Sequence, residues 1–161
     1  MSEAKQYKYI GTRSIRPDGY DKVTGRANYG ADMSLPGMIW GKILRSPHAH
    51  AKIKSIDTTK AEALAGVLAV ASYADFPSVA DEVVASGEGS SNLLDLANNI
   101  LAKDKVLYHG HAILAIGART AAIAEQALGL VEIEYEVLKP VLDVNDAMAA
   151  DAPVLHENMF T

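Results

Sequence analysis

The sequence of 161 residues contains no cysteine, and this absence excludes several kinds of chemistry. Without a thiol, the chain cannot form a disulfide framework, use a thiolate nucleophile or supply the usual ligands of an iron–sulfur cluster. A self-contained redox enzyme is therefore disfavoured. If the chain belongs to an electron-transfer system, other domains or subunits must hold the clusters.

Long apolar runs are absent as well. No stretch approaches the roughly 20 apolar residues that are needed to span a bilayer. The first residues, MSEAKQYKY, are polar and lack the apolar centre of a signal peptide. A net charge of −5 gives no reason to expect nucleic acid or a membrane as a partner. We therefore expect a single domain in the cytoplasm.

The common catalytic and nucleotide-binding motifs are also missing. Gly87-Glu88-Gly89 is too short for a phosphate loop and is not followed by Lys-Ser or Lys-Thr. Glu132, Glu134 and Glu136 alternate with apolar residues, which predicts a solvated strand face and not a carboxylate cluster. From the residues alone, we expect an α/β domain without an active site of its own.

The stretch from Gly41 to Ser72 is the most regular part of the first half. Period-2 alternation predicts one strand over Ile39–Arg45 and a second over Ala51–Ile56. Ser46-Pro47 separates them, because proline has no N–H to donate and disfavours helix at the residue before it. The sequence therefore predicts two strands joined by a turn.

A short helix and a third strand are predicted to follow. Thr59 and Glu62 have the spacing of a capping box, and Gly66 can end the helix with a positive φ. The continuous apolar run Val67–Ala71 is typical of a buried strand. The predicted order in this half is strand, turn, strand, helix, strand.

The second half repeats that order without clear sequence similarity. Strands are predicted over Lys105–His109, Ala112–Ala118 and Val131–Leu138. Thr120 is a predicted cap for a helix from Ala121 to about Leu130, which we expect to pack on one sheet containing both of the last two strands. The helix residues that we expect to be buried are Ile123, Ala127 and Leu128, and those that we expect to be exposed are Glu125 and Gln126.

Two segments have weaker patterns. Asp21–Gly37 is dense in Gly, Asp, Asn and Pro and predicts an ordered loop with at most a short strand at Ala27–Tyr29. Ser86–Ser91 is flexible by composition. Asn92–Ala102 predicts a short helix with an imperfect apolar face, within what we interpret as an insertion.

The only histidine clusters are His48-Ala49-His50 and His109-Gly110-His111. Two such pairs could in principle give four nitrogen ligands to zinc. However, no carboxylate stands at a spacing that would complete a site. We favour turn histidines that hydrogen-bond to backbone carbonyls or line an interface.

Three ordered segments together resemble a known family. They are SPHAHAKIKSID with the following GVLAV, the upstream segment Ile10–Met33 and the downstream segment Tyr108–Asp143. The sequence resembles the α/β hammerhead domain that opens the large subunit of molybdenum hydroxylases, a family of xanthine dehydrogenases, aldehyde oxidoreductases, carbon monoxide dehydrogenases and 4-hydroxybenzoyl-CoA reductases. This resemblance implies an α+β fold, with short helices packed on a mixed sheet.

The resemblance also implies a division of the chain and a larger enzyme. It implies an N-terminal strap over residues 1–36, the hammerhead domain over residues 37–150 and an exit segment over residues 151–161. The complete oxidoreductase would insert a water-derived oxygen at an electron-poor carbon, using a molybdopterin-type molybdenum cofactor. Electrons would pass through [2Fe–2S] clusters to FAD or another acceptor. The family's pterin contacts and catalytic glutamate lie in later domains, so we assign no catalytic, cofactor-binding or metal-binding residue here.

The expected role of this domain is structural, with docking to other parts of the enzyme. The implied partners are the pterin-binding domains, the iron–sulfur subunit and, where flavin is the acceptor, a flavin subunit. We predict partner contacts in two loops, Asn28–Leu35 and Arg45–His50. The candidate interface residues are Met33, Leu35, Trp40, Arg45, His48 and His50. The alternatives are a standalone binding or assembly module and, less favoured, a histidine-based metal-binding protein.

Overall fold

A computed structural model describes residues 7–87 and 89–156. The chain divides into two compact units, the first ending at Met38 and the second beginning at Ile39. No helix within the described ranges is long and apolar enough to cross a membrane.

The first unit contains helix α1 (Gly19–Val23) and a 3₁₀ turn at Gly30–Asp32. The loop expected at Asp21–Gly37 allowed at most a short strand at Ala27–Tyr29, and no strand forms there. The N–H of Ala27 instead donates to the carbonyl of Asp21 at 2.9 Å, which folds this part of the chain back onto α1. Local turn hydrogen bonds thus replace sheet pairing in this unit.

The second unit alternates strands and short helices. Its strands are β1 (Trp40–Arg45), β2 (Ala51–Asp57), β3 (Val67–Ser72), β4 (Val83–Ser86), β5 (Gly89–Asn92), β6 (Lys105–Val106), β7 (Ala112–Ala118) and β8 (Glu132–Val137). Its helices are α2 (Thr59–Glu62), α3 (Leu93–Ile100), α4 (Ala121–Leu128) and α5 (Val144–Ala147). A 3₁₀ turn at Tyr73–Asp75 follows β3.

The strands form three small antiparallel sheets, in the orders β1–β7–β3, β6–β2–β8 and β4–β5. The α+β class is confirmed, but the named strands do not form the single mixed sheet that we expected. The expectation that β7 and β8 share a sheet is also wrong. Strand β7 pairs with β1 on one side and β3 on the other, so it has no free edge, and β8 pairs with β2 instead.

The core has two clusters of buried side chains. One lies between the β1–β7–β3 sheet and the helices, and it contains Ala61, Leu114, Ile116 and Ala127. The other lies against the β6–β2–β8 sheet and contains Ala51, Ala102, Val106 and Ile113. Strand β7 contributes to both clusters and is therefore the central element of the fold.

Helix α4 is confirmed, with Thr120 Oγ1 accepting the N–H of Ile123 at 3.2 Å as the predicted cap. Ala127 is buried as expected, whereas Ile123 and Leu128 are only half-buried. The second fully buried residue is Ala124, because small side chains bring the helix close to the sheet and leave the larger ones at its margin.

Gly66 has the predicted positive φ, +98°, and lies past the end of α2, whose C-cap is Ala63. A Cβ at Gly66 would lie 2.8 Å from Ile123 Cδ1, so packing against α4 also requires glycine. The predicted capping box at Thr59 is wrong. Thr59 lies inside α2, and Asp57 Oδ1 accepts its backbone N–H at 2.9 Å.

Three further expectations are corrected. The apolar run of β3 is not a buried strand, because β3 is at the edge of its sheet and Leu68 is exposed. Ser86 and residues 89–91 of the segment that we expected to be flexible belong to strands β4 and β5, while Glu88 lies outside the described residues. Helix α3 exists, but Leu96 and Ile100 of its predicted apolar face are exposed.

Candidate functional site

The two histidine-containing turns lie side by side at one end of the β1–β7 pair. The N–H of Ser46 donates to the carbonyl of His111 at 2.9 Å, and the N–H of Gly110 donates to the carbonyl of Ser46 at 2.9 Å. Arg45 Nη1 also donates to the carbonyl of Gly110 at 2.9 Å. The turns are therefore one connected structure, which we call the double turn (residues 45–50 and 108–111).

Ser46 organises the first turn from within. Its side chain is buried, and its hydroxyl oxygen accepts the backbone N–H of His48 at 3.0 Å. The imidazole ring of His48 packs edge-on against the ring of Tyr135 in β8, with 4.9 Å between centroids. Burial raises the pKa of Tyr135, while a hydrogen bond with Ser46 opposes this shift. These contacts attach the first turn to the β6–β2–β8 sheet.

His50 is only 6% exposed, and its Nδ1 lies 3.0 Å from the carbonyl oxygen of Lys139. A carbonyl oxygen can only accept, so Nδ1 carries the proton in this contact. The backbone carbonyl of His50 accepts the N–H of Leu138 at 3.0 Å. The buried Nε2 has no hydrogen-bond partner within the described ranges. His50 thus forms hydrogen bonds with Leu138 and Lys139, the two residues that follow β8.

His111 is fully buried and joins the second turn to helix α3. Its Nε2 lies 2.9 Å from the carbonyl oxygen of Asn98, and its Nδ1 accepts the N–H of Leu107 at 3.2 Å. These contacts define a neutral ring protonated at Nε2. The ring of Tyr108 stacks on it at 4.5 Å. Burial lowers the pKa of His111, and the carbonyls of Asn98 and Asn99 partly oppose that shift.

The hydrogen bonds of the double turn bear on the histidine-based metal site that the sequence left open. His50 and His111 each direct a ring nitrogen to a backbone carbonyl, as the favoured interpretation predicted. Within residues 7–87 and 89–156, no group of three or more His, Asp or Glu side chains could hold a metal ion. This donor set does not fit a resident molybdenum centre, so no chemical step is assigned to these residues.

The six candidate interface residues differ widely in exposure. Met33 and Leu35 are each 62% exposed, and Trp40 is 58% exposed. Arg45 is exposed, His48 is half-buried and His50 is buried. The interface stays a prediction, and His50 could contribute to it only by positioning its neighbours.

Sequence reasoning missed three features of the double turn. The fastening roles of Ser46 and Tyr135, and the contact from His111 to Asn98, depend on pairs that lie far apart in the sequence. A useful signal was the serine two residues before His48, since Ser at such a position commonly accepts a backbone N–H in a turn.

The geometry defines an α+β domain in which small antiparallel sheets are joined through a hydrogen-bonded double turn. The family model for the "Aldehyde oxidase and xanthine dehydrogenase, a/b hammerhead domain" matches residues 24–139. This match covers more than half of the chain, and the chain belongs to this family. The resemblance noted from the sequence is therefore confirmed.

Curated relatives agree with this assignment. The chain is 40% identical to a probable xanthine dehydrogenase subunit of Bacillus subtilis, over 89% of this chain and 18% of that protein. It is 37% identical to the carbon monoxide dehydrogenase large chain of Afipia carboxidovorans, over 97% of this chain and 18% of that protein. The chain spans about a fifth of the length of these two relatives.

Solved structures give the same result. Quinoline 2-oxidoreductase from Pseudomonas putida 86 superposes with a TM-score of 0.76 at 35% identity, covering 91% of this chain and 19% of that one. A Cu,Mo-CO dehydrogenase superposes with a TM-score of 0.75 at 35% identity, covering 94% of this chain and 18% of that one. The hammerhead fold is thus shared with parts of much larger oxidoreductases.

Proposed function

We propose that this chain acts as the hammerhead domain of the large subunit of a molybdopterin-dependent hydroxylase, with a structural and docking role. The supporting observation is that nearly the whole chain matches a segment of several larger proteins. This segment makes up about a fifth to a third of each of them, and their names carry different substrates, among them xanthine, carbon monoxide and nicotinate. A segment shared by enzymes with such different substrates fits a common structural task better than substrate selection.

In this proposal, the chemistry takes place in other parts of the enzyme. The molybdenum cofactor, when bound in the later domains, supports the transfer of a water-derived oxygen to a substrate carbon, with release of two electrons and two protons. Two [2Fe–2S] clusters and, in some complexes, FAD accept the electrons, and separate domains or subunits hold them. The complete enzyme would be cytoplasmic. This chain, which has no cysteine, contributes no cluster ligand.

The proposed docking elements are the loops Asn28–Leu35 and Arg45–His50. The exposed apolar side chains of Met33 and Leu35 are suited to contact a neighbouring domain. Arg45 uses Nη1 to hold the double turn, so its remaining N–H groups can reach a carboxylate or carbonyl on a partner. The proposed boundaries are a strap over residues 1–36, the hammerhead over residues 37–150 and an exit segment over residues 151–161.

Domain replacement tests the proposal. The matched segment of the Afipia carboxidovorans large chain would be exchanged for this chain, and the complex would be purified through its iron–sulfur subunit. We expect the hybrid to keep its molybdenum content and its oxidation of carbon monoxide, because the exchanged segment carries no catalytic group. A hybrid that assembles but loses molybdenum would show that this segment helps to hold the cofactor. A hybrid that never assembles would favour a standalone module.

A further inference from the structure

The outward face of the β1–β7–β3 sheet carries no charged or hydrogen-bonding side chain over two rows of paired residues. The opposite face packs on the core through Leu114 and Ile116. The register pairs give two outward rows, Gly41 with Gly117 and Ala69, and Ile43 with Ala115 and Ala71. We call these six residues, with Ile39 just before β1, the outward apolar face.

This face is open to solvent in the chain. Ile39 is 46% exposed and Ile43 is 45% exposed, while Gly41 and Ala69 are also exposed. An antiparallel sheet with one wet face ordinarily carries polar residues on that face. The outward apolar face lacks them, so its composition is that of a covered surface.

The other three-stranded sheet shows the contrast within the same chain. Its exposed side chains form ion pairs between strands, with Lys52 Nζ 3.1 Å from Glu136 Oε1 and Lys54 Nζ 3.6 Å from Glu134 Oε1. Lys60 also pairs with a glutamate of β8, Glu132. Charged side chains make that face suited to contact with water, whereas the outward apolar face has none.

Gly41 gives a second, independent reason to expect a neighbour. Its φ is outside the left-handed region, and a Cβ added there would meet no atom within 4 Å. The packing of this chain therefore does not require glycine at position 41, although glycine weakens a strand. Glycine inside a strand often marks a place where another backbone approaches closely. Gly117 differs, because a Cβ there would lie 2.8 Å from Ile39 Cδ1.

We infer that the outward apolar face is the docking surface for an uncharged, apolar segment of the cofactor-binding part of the same large subunit, whose backbone passes close to Gly41. This inference rests on the proposed function. More than four fifths of each of the two curated relatives described above lies outside the segment that this chain matches, and thus offers the covering surface. Permanent interfaces are more apolar than transient ones, and charged residues are depleted at the centres of interfaces.

The test is co-expression of the tagged 161-residue chain with the Afipia carboxidovorans large chain from which the matched segment is deleted. The informative variant is Gly41→Val, and the matched control is Lys54→Val, which places the same side chain on the charged sheet face. Gly41→Val should reduce co-purification by at least about tenfold, because valine overfills a close contact. Lys54→Val should co-purify as the unchanged chain does.

The thermal unfolding midpoint of each purified chain separates docking from folding. We expect Gly41→Val to unfold at the same or a higher temperature than the unchanged chain, since valine favours strand conformation and finds open space. Ile43→Lys is a second variant that should also lose co-purification, by placing a charge on the outward apolar face. Both variants leave the double turn and its hydrogen bonds intact.

Three outcomes would overturn the inference. Undiminished co-purification of Gly41→Val and Ile43→Lys would mean that another face docks, while the proposed function stands. Failure of the unchanged chain to co-purify would count against the docking role itself. A dimer of the unchanged chain that Gly41→Val dissociates, without any co-purification, would identify a second copy as the occupant.

Discussion

His111 Nε2 donates to the carbonyl of Asn98 at 2.9 Å, and this single contact ties the start of β7 to the last turn of α3. The same ring accepts the N–H of Leu107 through Nδ1. Protonation would convert this acceptor into a donor facing another donor. The neutral form of His111 is therefore part of the fold.

The first prediction concerns pH. Burial lowers the pKa of His111 from its ordinary value of 6.5, so the unfolded chain takes up a proton at a higher pH than the folded chain. The stability that the neutral ring of His111 contributes is present above pH 6.5 and is lost as the pH falls below that value. The free energy of unfolding in urea should therefore decrease between about pH 7 and pH 5. His111→Gln should flatten that decrease, and His109→Gln, which replaces an exposed histidine two residues away, is the matched control.

The second prediction concerns the margin of helix α4. Leu128 is half-buried and Leu114 is fully buried in the same cluster. Replacing Leu114 with Ala should cost about 3–5 kcal/mol, and replacing Leu128 with Ala about 2 kcal/mol, because the first leaves the larger cavity. Chemical denaturation of both variants measures the difference. Equal costs would show that Leu128 is as well packed as the sheet residue.

The third prediction concerns Gly66. Replacing it with Ala should destabilise the chain by about 1–3 kcal/mol, because alanine at φ +98° is strained and its Cβ meets Ile123 Cδ1. Ile123→Val removes that Cδ1 atom, so Gly66→Ala should cost less in an Ile123→Val background. A double-mutant cycle of unfolding free energies measures the coupling. If the cost is the same in both backgrounds, backbone strain alone accounts for it.

The fourth prediction concerns cofactors. The purified chain should be colourless and should not oxidise purines, aldehydes, nicotinate or carbon monoxide, because the donor set of its described residues does not fit a molybdenum centre and its sequence has no cysteine for a cluster. Visible absorption and plasma emission for molybdenum and iron provide the measurement. Stoichiometric molybdenum in chain purified from cells that make the cofactor would contradict the structural role.

Local patterns predicted individual elements well, because each depends on neighbouring residues. The alternation of Glu132–Val137 indicated a strand with Ile133 and Tyr135 turned inward, and Thr120 indicated the cap of α4. Sheet membership could not be predicted in this way. Nothing in the alternation of β8 indicates that its partner is β2 and not β7, because pairing is decided by contacts between distant parts of the chain.

The sequence predicted the type of hydrogen bond that the site histidines form, but not which residues accept it. We favoured turn histidines that bond to backbone carbonyls or line an interface, and His50 and His111 each contact a backbone carbonyl. Their acceptors, on Lys139 and Asn98, are set by tertiary packing that the spacing does not encode. The exposure of β3 was missed for a related reason. An apolar run indicates that a strand avoids water, but it does not say which molecule covers it.

The central place of β7 also determines when the fold can form. Strands β1 and β3 both hydrogen-bond to β7 and not to each other, and β7 ends at Ala118. During synthesis from the N-terminus, β1 and β3 are made before β7, so the edges that pair with β7 stay unpaired until Ala118 has been made. Such edges are templates for wrong pairing between nascent chains. A chaperone that shields β1 and β3 until Ala118 has been made should therefore raise the yield of folded protein.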